Sequence, residues 1–348
     1  MKILAKPAFR GQYKNPYTWS LYKGIVALGG DVHEFSTKRC ISGSYDIFHI
    51  HWPEWHLGNS QLPEAIAKTS LLLLLIDLLR AKGTKIIWTV HNLGAHENQY
   101  PQLESIFWNI FTQKLDGYIS LSHSGKAAAE KIFPNLSHIP GCVVPHSHYR
   151  DVYLNRFSPE ESRRKLGISA SAKVFLLFGR IKPYKNVPAL IKAFERVNCP
   201  DAVLLIVGSF RSLQKTDFDQ IMGAARLDPR ILIKDEFVDN DDVHIYFQSA
   251  DLVVLPYREI LNSGSALLAL SFDRPILVPE LGSLGEVKDD VGQDWVQTYT
   301  GEISAEKLDK SICWSTNTKR DSHAPLDSLN SSTIAQKTYD FYRSICYN

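Results

Sequence analysis

Short apolar runs that end in small or polar residues alternate with stretches of helical spacing along this chain, a pattern that predicts a parallel α/β architecture. A strand over 2–5 leads through the polar loop Arg10 to Pro16 into a helix over 17–28, closed by Gly29 and Gly30, and a second strand starts at Val32. A strand over 46–51 runs into Trp52-Pro53-Glu54-Trp55, and a leucine-rich helix is expected over 63–80, buried on most of its surface. A strand over 85–90 ends in His91-Asn92, and further strand ends fall at Ser122 and near His146.

Residues 150–158 read as a linker. Ser158-Pro159-Glu160-Glu161 then forms a capping box, with serine at the N-cap, proline at the first helical position and glutamate at the third, so a new helix starts there and stops near Gly167. Strands over 174–178, 202–207, 231–233, 252–255 and 276–278 alternate with helices, among them one over 187–197. A final helix occupies about 326–347. The expected division is an amino-terminal domain 1–157, a second domain 158–325, and a segment 326–348 that packs back on the first.

Composition changes this picture little. With 348 residues, 44% hydrophobic and 22% charged, the chain has material for two cores, and a net charge of +2 gives no reason to expect a nucleic-acid partner. Its five cysteines are odd in number, far apart and without a C-x-x-C pair. That argues against a disulfide framework or a zinc site and fits a reducing cytoplasm. The amino end is too charged for a signal peptide, and the longest aliphatic run, over 71–76, is far short of the roughly 20 residues a spanning helix needs.

The chemistry gathers at strand ends. After the apolar run 174–178, Gly179 permits a tight exit, and Arg180, Lys182 and Lys185 follow just before a helix whose free N–H groups attract anions. A diphosphate suits that loop; a solvated basic turn is the competing reading. A second loop, Pro256 to Ser265, again passes from strand to helix, and Ser263, Gly264 and Ser265 offer hydroxyl and N–H donors to a phosphate. In the first half, His51 and His91 lie at the carboxyl ends of neighbouring strands, where open α/β sheets place ligands. Trp52 offers a flat apolar face to a sugar, and Asn15 and Tyr17 are candidate acceptor contacts; a packed core or helix-capping role competes for each. The first turn lacks G-x-G-x-x-G, which argues against a dinucleotide there.

These motifs resemble the GT-B glycosyltransferases over nearly the whole chain. Gly179-Arg180 with Lys185-Asn186, then Leu205 to Gly208, Phe237-Val238-Asp239 and Ala250 to Pro256, follow the donor-domain order of GT4-like enzymes. Two glutamates of the retaining GT4 pattern are absent: Ile260 and Leu268 stand at those positions, and Glu259 is one residue off. The string from Tyr257 to Ser271, with Asn15-Pro16-Tyr17 and His49 to Pro53, is instead similar to the xanthan-type bacterial exopolysaccharide β-1,4-mannosyltransferases. The resemblance implies two Rossmann-like domains facing across a cleft. It also implies transfer of mannose from GDP-mannose with inversion, and a saccharide acceptor carried on a lipid at the inner membrane face. It assigns Arg180 and Lys185 to the donor diphosphate and Gly208, Phe237 and Val238 to the base pocket.

Inversion needs a general base from the first domain. Glu54 is the first choice, His51 and His91 follow, and Glu97 is a further option. Asp239-Asn240-Asp241 spells a metal-nucleotide pattern, but it sits where acids serve a helix's first turn, so no metal and no cofactor beyond the nucleotide-sugar substrate is expected. Three other readings stay open: a retaining GT-B transferase using Glu259, a sugar-nucleotide 2-epimerase, and a non-catalytic sugar-nucleotide-binding protein.

Overall fold

The computed structural model describes residues 1–13, 15–58, 61–94 and 99–347. The chain forms two compact units, Met1–Ser147 with Leu329–Asn348, and His148–Ser328. The crossings therefore fall at 147–148 and 328–329, where the sequence pattern placed them at 157–158 and 325–326. Residues just after Ser147 pack on the second unit: Tyr149 N–H donates to Ser271 Oγ at 2.9 Å and Arg150 Nη2 to Asp273 Oδ1 at 2.5 Å.

Unit 1 holds β1 (Lys2–Lys6), β2 (Asp31–Glu34), β3 (Ile47–Ile50), β4 (Lys85–Val90), β5 (Gly117–Ser120) and β6 (Gly141–Val143). They form one parallel sheet ordered β2-β1-β3-β4-β5-β6. Ile3, Ala5, Ile47, Ile87 and Ile119 bury one face of it against Leu21, Tyr22, Ile25, Ile334, Tyr339 and Tyr342. The last three belong to the helix Ser331–Tyr347, so the end of the chain completes the core begun at its start. That helix lies close against Tyr17–Ala27, because a Cβ on Gly24 would stand 2.5 Å from Ala335 Cβ. Ser20 and Ser331 hydroxyls join the pair at 3.0 Å.

The helix Leu62–Ala81 corrects the expectation of near-complete burial. It buries only the stripe Ala65, Thr69, Leu72, Leu75, Ile76 and Leu79, and leaves Leu62, Ile66, Leu71 and Leu74 exposed. Leucine content gave the wrong answer because burial follows the 3.6-residue period, not the number of apolar side chains. The loop after β1 is also occupied from within: the Glu34 carboxylate accepts from the N–H groups of Ala8, Phe9 and Arg10 at 3.2, 2.8 and 3.0 Å. A nest of backbone donors that another fold would offer to a phosphate here holds the protein's own acid.

Unit 2 contains β7 (Lys173–Phe178), β8 (Ala202–Val207), β9 (Ile231–Lys234), β10 (Leu252–Val254), β11 (Ile276–Pro279) and β12 (Val296–Tyr299). Its parallel sheet is ordered β12-β11-β10-β7-β8-β9. The capping box forms as read: Ser158 Oγ accepts from Glu161 N–H at 3.2 Å and Glu161 Oε2 from Ser158 N–H at 2.8 Å. Gly167 closes that helix at φ 69°. The helix after the basic loop is shorter than expected, Val187–Phe194, and β12 was not foreseen because Val-Gln-Thr-Tyr at a sheet edge has no continuous apolar run.

Candidate functional site

In unit 2 the two loops foreseen for a diphosphate meet at Gly179. This glycine has φ 101°, and a Cβ on it would lie 3.0 Å from Lys185 Nζ and 3.7 Å from Ser265 Oγ. The lysine is 3% exposed, and its Nζ donates to the Phe178 carbonyl at 3.0 Å. Burial, with Lys182 adding repulsion, pulls its pKa down to about 7. The loops are tied directly: Arg258 N–H donates to the Tyr184 carbonyl at 2.9 Å, and the Tyr184 and Tyr257 rings meet edge to face at 5.5 Å. Ser263 caps the helix Gly264–Ser271, its Oγ accepting from Ala266 N–H at 3.1 Å. Gly264 and Ser265 are half-buried in its first turn.

Gly208, after β8, has no room for a side chain, since a Cβ would sit 2.2 Å from the Gly179 carbonyl oxygen. The backbones at the ends of β7 and β8 touch there, and this sets the floor beneath Lys185. Arg180 points into solvent, as does Phe237 at 60% exposure beside half-buried Val238. The Phe210 N–H donates to Asp235 Oδ1 at 3.0 Å and pins the loop that leads to them. Glu259, Asp239 and Asp241 are exposed. Among the described residues no group of three or more His, Cys, Asp or Glu is arranged so that it could hold a metal ion.

Unit 1 gathers a cluster of rings at the ends of β3 and β4. His49 and His51 are fully buried, and His51 Nδ1 lies 3.1 Å from His91 Nε2. The Tyr22 hydroxyl joins His51 Nε2 at 2.7 Å to His49 Nδ1 at 2.8 Å. Both ring nitrogens of His51 are thus engaged inside the protein, while His91 is half-buried and forms the outer end of the chain. Tyr17, buried, packs edge-on against His51 and His91 at 5.8 and 5.1 Å and tilts against His146 at 4.4 Å. Burial and the neighbouring His146 and His49 hold His91 well below the ordinary imidazole range, so it is neutral.

Trp52 lies between two parallel rings, with His91 at 4.2 Å and Trp55 at 4.9 Å. The 3₁₀ turn Pro53–His56, with Trp52 at its N-cap, explains the second contact, because residues three apart eclipse in such a turn. Trp52 is half-buried with these two rings stacked on it, and the more open ring is Trp55, 63% exposed. Glu54, on the same turn, is 4% exposed; its Oε1 accepts from Asn92 Nδ2 at 2.6 Å, and its buried Oε2 has no hydrogen-bond partner among the described residues. Desolvation raises its pKa to about 7. Asn15 is exposed, and its Oδ1 accepts from Tyr17 N–H at 3.3 Å, the helix-starting use of that residue. Glu97 lies outside the described residues.

Sequence reasoning gave no role to Tyr22 or Tyr342, and took His49 and Trp55 only as neighbours of His51 and Trp52. The period of two along β3 put His49 on the face of His51, and the three-residue spacing of Trp52 and Trp55 was visible. Nothing local pointed to Tyr342.

A doubly wound fold in two parallel-sheet units, with a cationic strand-to-helix loop in one and a histidine and tryptophan cluster in the other, is the GT-B architecture of glycosyltransferases. A family model described as "Glycosyl transferases group 1" matches residues 172–310. The chain is 32% identical over 302 residues to the GDP-mannose:glycolipid 4-beta-D-mannosyltransferase of Xanthomonas campestris pv. campestris, covering 84% of this chain and 78% of that one. It is also 26% identical over 289 residues to the D-inositol 3-phosphate glycosyltransferase of Corynebacterium efficiens, covering 79% and 64%. Among solved structures, a sucrose-phosphate synthase from Thermosynechococcus elongatus superposes with TM-score 0.72 at 14% identity, covering 99% of each chain. Anabaena HepE with UDP-glucose does so at 0.67 and 15%, covering 99% and 100%. The chain belongs to the group 1 glycosyl transferases and is a glycosyltransferase.

Proposed function

We propose that the protein transfers mannose from GDP-mannose, with inversion, to a saccharide carried on a lipid, in the assembly of an exopolysaccharide or another cell-surface glycan. The donor and the glycolipid acceptor come from the name of the Xanthomonas relative. The observation that carries the chemistry is the convergence of Lys185 Nζ and Ser265 Oγ on Gly179. That point lies at the carboxyl edge of β7, beside a helix start, and it suits the two phosphates of a nucleotide. Arg180, exposed and able to swing, adds a second cation. Fixed donors aimed at the departing diphosphate supply stabilisation as the glycosidic oxygen takes up charge, and these cations do so with no metal ion. Gly208, Phe237 and Val238 border the base and ribose.

In unit 1, His91 is the general base. The acceptor hydroxyl gives its proton to this ring as its oxygen attacks the anomeric carbon and the bond to the diphosphate breaks. His51 stands behind it, and buried Glu54 braces the loop through Asn92. The exposed face of Trp55, with Trp52 stacked beneath it, receives the acceptor sugar, whose C–H face packs well on an indole. A lipid-carried acceptor puts the enzyme at the inner membrane face as a peripheral protein. The exposed apolar side chains Leu62, Ile66, Leu71 and Leu74 of one helix support that reading.

Thermal shift with nucleoside diphosphates and their sugars tests the donor, since a ligand that binds only the folded state raises the melting temperature. GDP and GDP-mannose are expected to lead; a clear preference for UDP would remove mannose from the proposal. The anomeric coupling in the product separates inversion from retention.

A further inference from the structure

The histidine cluster extends well behind the ring that meets the acceptor. Inward from His91, the chain runs His51, Tyr22, His49 and Thr89, with separations of 3.1, 2.7, 2.8 and 2.7 Å. Tyr342, from the last helix, adds its hydroxyl at 2.5 Å from His49 Nδ1. His49, His51, Tyr22, Thr89 and Tyr342 are all fully buried.

No carboxylate makes a hydrogen bond to this chain among the described residues; the other groups facing it include Tyr17, packed on His51 and His91, His146 beside Tyr17 and His91, Trp52 stacked on His91, and at longer range Glu34 toward Tyr22 and Cys142 toward Tyr342. Burial holds His49 at about 3, so the rings are neutral. A neutral imidazole has one donor and one acceptor, so the links constrain one another. In one arrangement of these four links every donor points outward, His49 Nδ1–H facing the Tyr22 and Tyr342 oxygens, and His91 ends with a proton on Nδ1. In the arrangement opposite to it every donor points inward: His91 Nε2–H to His51 Nδ1, His51 Nε2–H to Tyr22, Tyr22 O–H to His49 Nδ1 with the Tyr342 hydroxyl beside it, His49 Nε2–H to Thr89. Then His91 Nδ1 is bare.

We propose that His51, Tyr22 and His49 are positioning residues that present His91 to the acceptor with Nδ1 bare and share the proton it receives. The proposal rests on the reading of His91 as the base. When the acceptor O–H bond breaks and Nδ1–H forms, His91 Nε2–H can pass to His51 Nδ1. Behind His51 the links polarise without transferring a proton, His51 Nε2–H toward Tyr22 and Tyr22 O–H toward His49 Nδ1, so the charge is spread over His91 and His51 while Tyr22 and His49 keep their protons. The charge returns to solvent through His91 once product has left. A carboxylate behind a catalytic histidine does this by attraction; here a neutral chain does it by polarising along its length.

Tyr22→Phe removes the central link and keeps the ring. Its kcat should fall about tenfold or more and its pH profile should shift, while acceptor KM and the melting shift with GDP stay at wild-type values. Wild-type kcat and pH profile in this variant would overturn the relay. Nitrogen-15 NMR of the histidine rings is a second reading, independent of turnover: the relay requires an unprotonated Nδ1 on His91 in the resting protein, and a protonated Nδ1 refutes it. If the protein transfers nothing from GDP-mannose, the proposed function fails by itself; the tautomer measurement still decides the relay.

Discussion

Lys185 Nζ donates to the Phe178 carbonyl at 3.0 Å, so the cation proposed to hold the donor diphosphate is, without donor, a nearly buried amine resting on the strand it follows. Its pKa, drawn from 10.5 to about 7 by burial, is depressed on folding. The stability contribution is present above the unfolded value and lost as pH falls through 7, where the folded protein must bury a charge. A diphosphate reverses this by stabilising the protonated form. Donor binding is therefore expected to take up a proton above pH 7, with Kd rising by up to about tenfold per pH unit there. Calorimetry in buffers of different ionisation heat measures the uptake. Lys185→Met should abolish donor binding and make the ligand-free protein more stable at pH 6.

Gly208→Ala probes the floor of the same loop. The new methyl would fall 2.2 Å from the Gly179 carbonyl oxygen, at a φ of 146° that side chains rarely adopt, so the ends of β7 and β8 must separate. A loss of about 3 kcal/mol is expected from overpacking and backbone strain together. The GDP-induced melting shift should shrink with it. Urea unfolding with and without GDP reads both.

Glu54 gives the opposite pH sign to Lys185. Its carboxyl is raised from 4.5 to about 7 by desolvation, so its contribution to stability is complete below 4.5 and lost as pH rises through 7. Glu54→Gln keeps an oxygen for Asn92 and removes the buried charge. At pH 8 this variant should be more stable, by up to about 3 kcal/mol, and should keep most of its activity. Collapse of kcat in a well-folded Glu54→Gln enzyme would move the base from His91 to Glu54.

Trp55→Ala should raise the acceptor KM about tenfold, the loss of roughly 1.4 kcal/mol of stacking, and leave donor affinity unchanged. Trp52→Ala should do more, because it removes the support of both Trp55 and His91.

Much of this was readable from residue order. The apolar run of β7, the glycine after it and the apolar spacing that follows specify a strand, a turn and a helix through local physics alone. The same holds for the box at Ser158. Two kinds of information were not local. Whether the helix Leu62–Ala81 is buried depends on which neighbours lie along its stripe, and composition is silent on that. The hydrogen bond between His49 and Tyr342 joins residues 293 positions apart, so no window of sequence contains it.

That last bond ties the helix Ser331–Tyr347 to the first core, where Ile334, Tyr339 and Tyr342 pack against the sheet. A chain cut before Ser331 therefore loses part of the hydrophobic seal of unit 1 and the hydroxyl against His49 together, so the fold of this unit and the order of its histidines cannot be separated from a segment that lies far away in sequence.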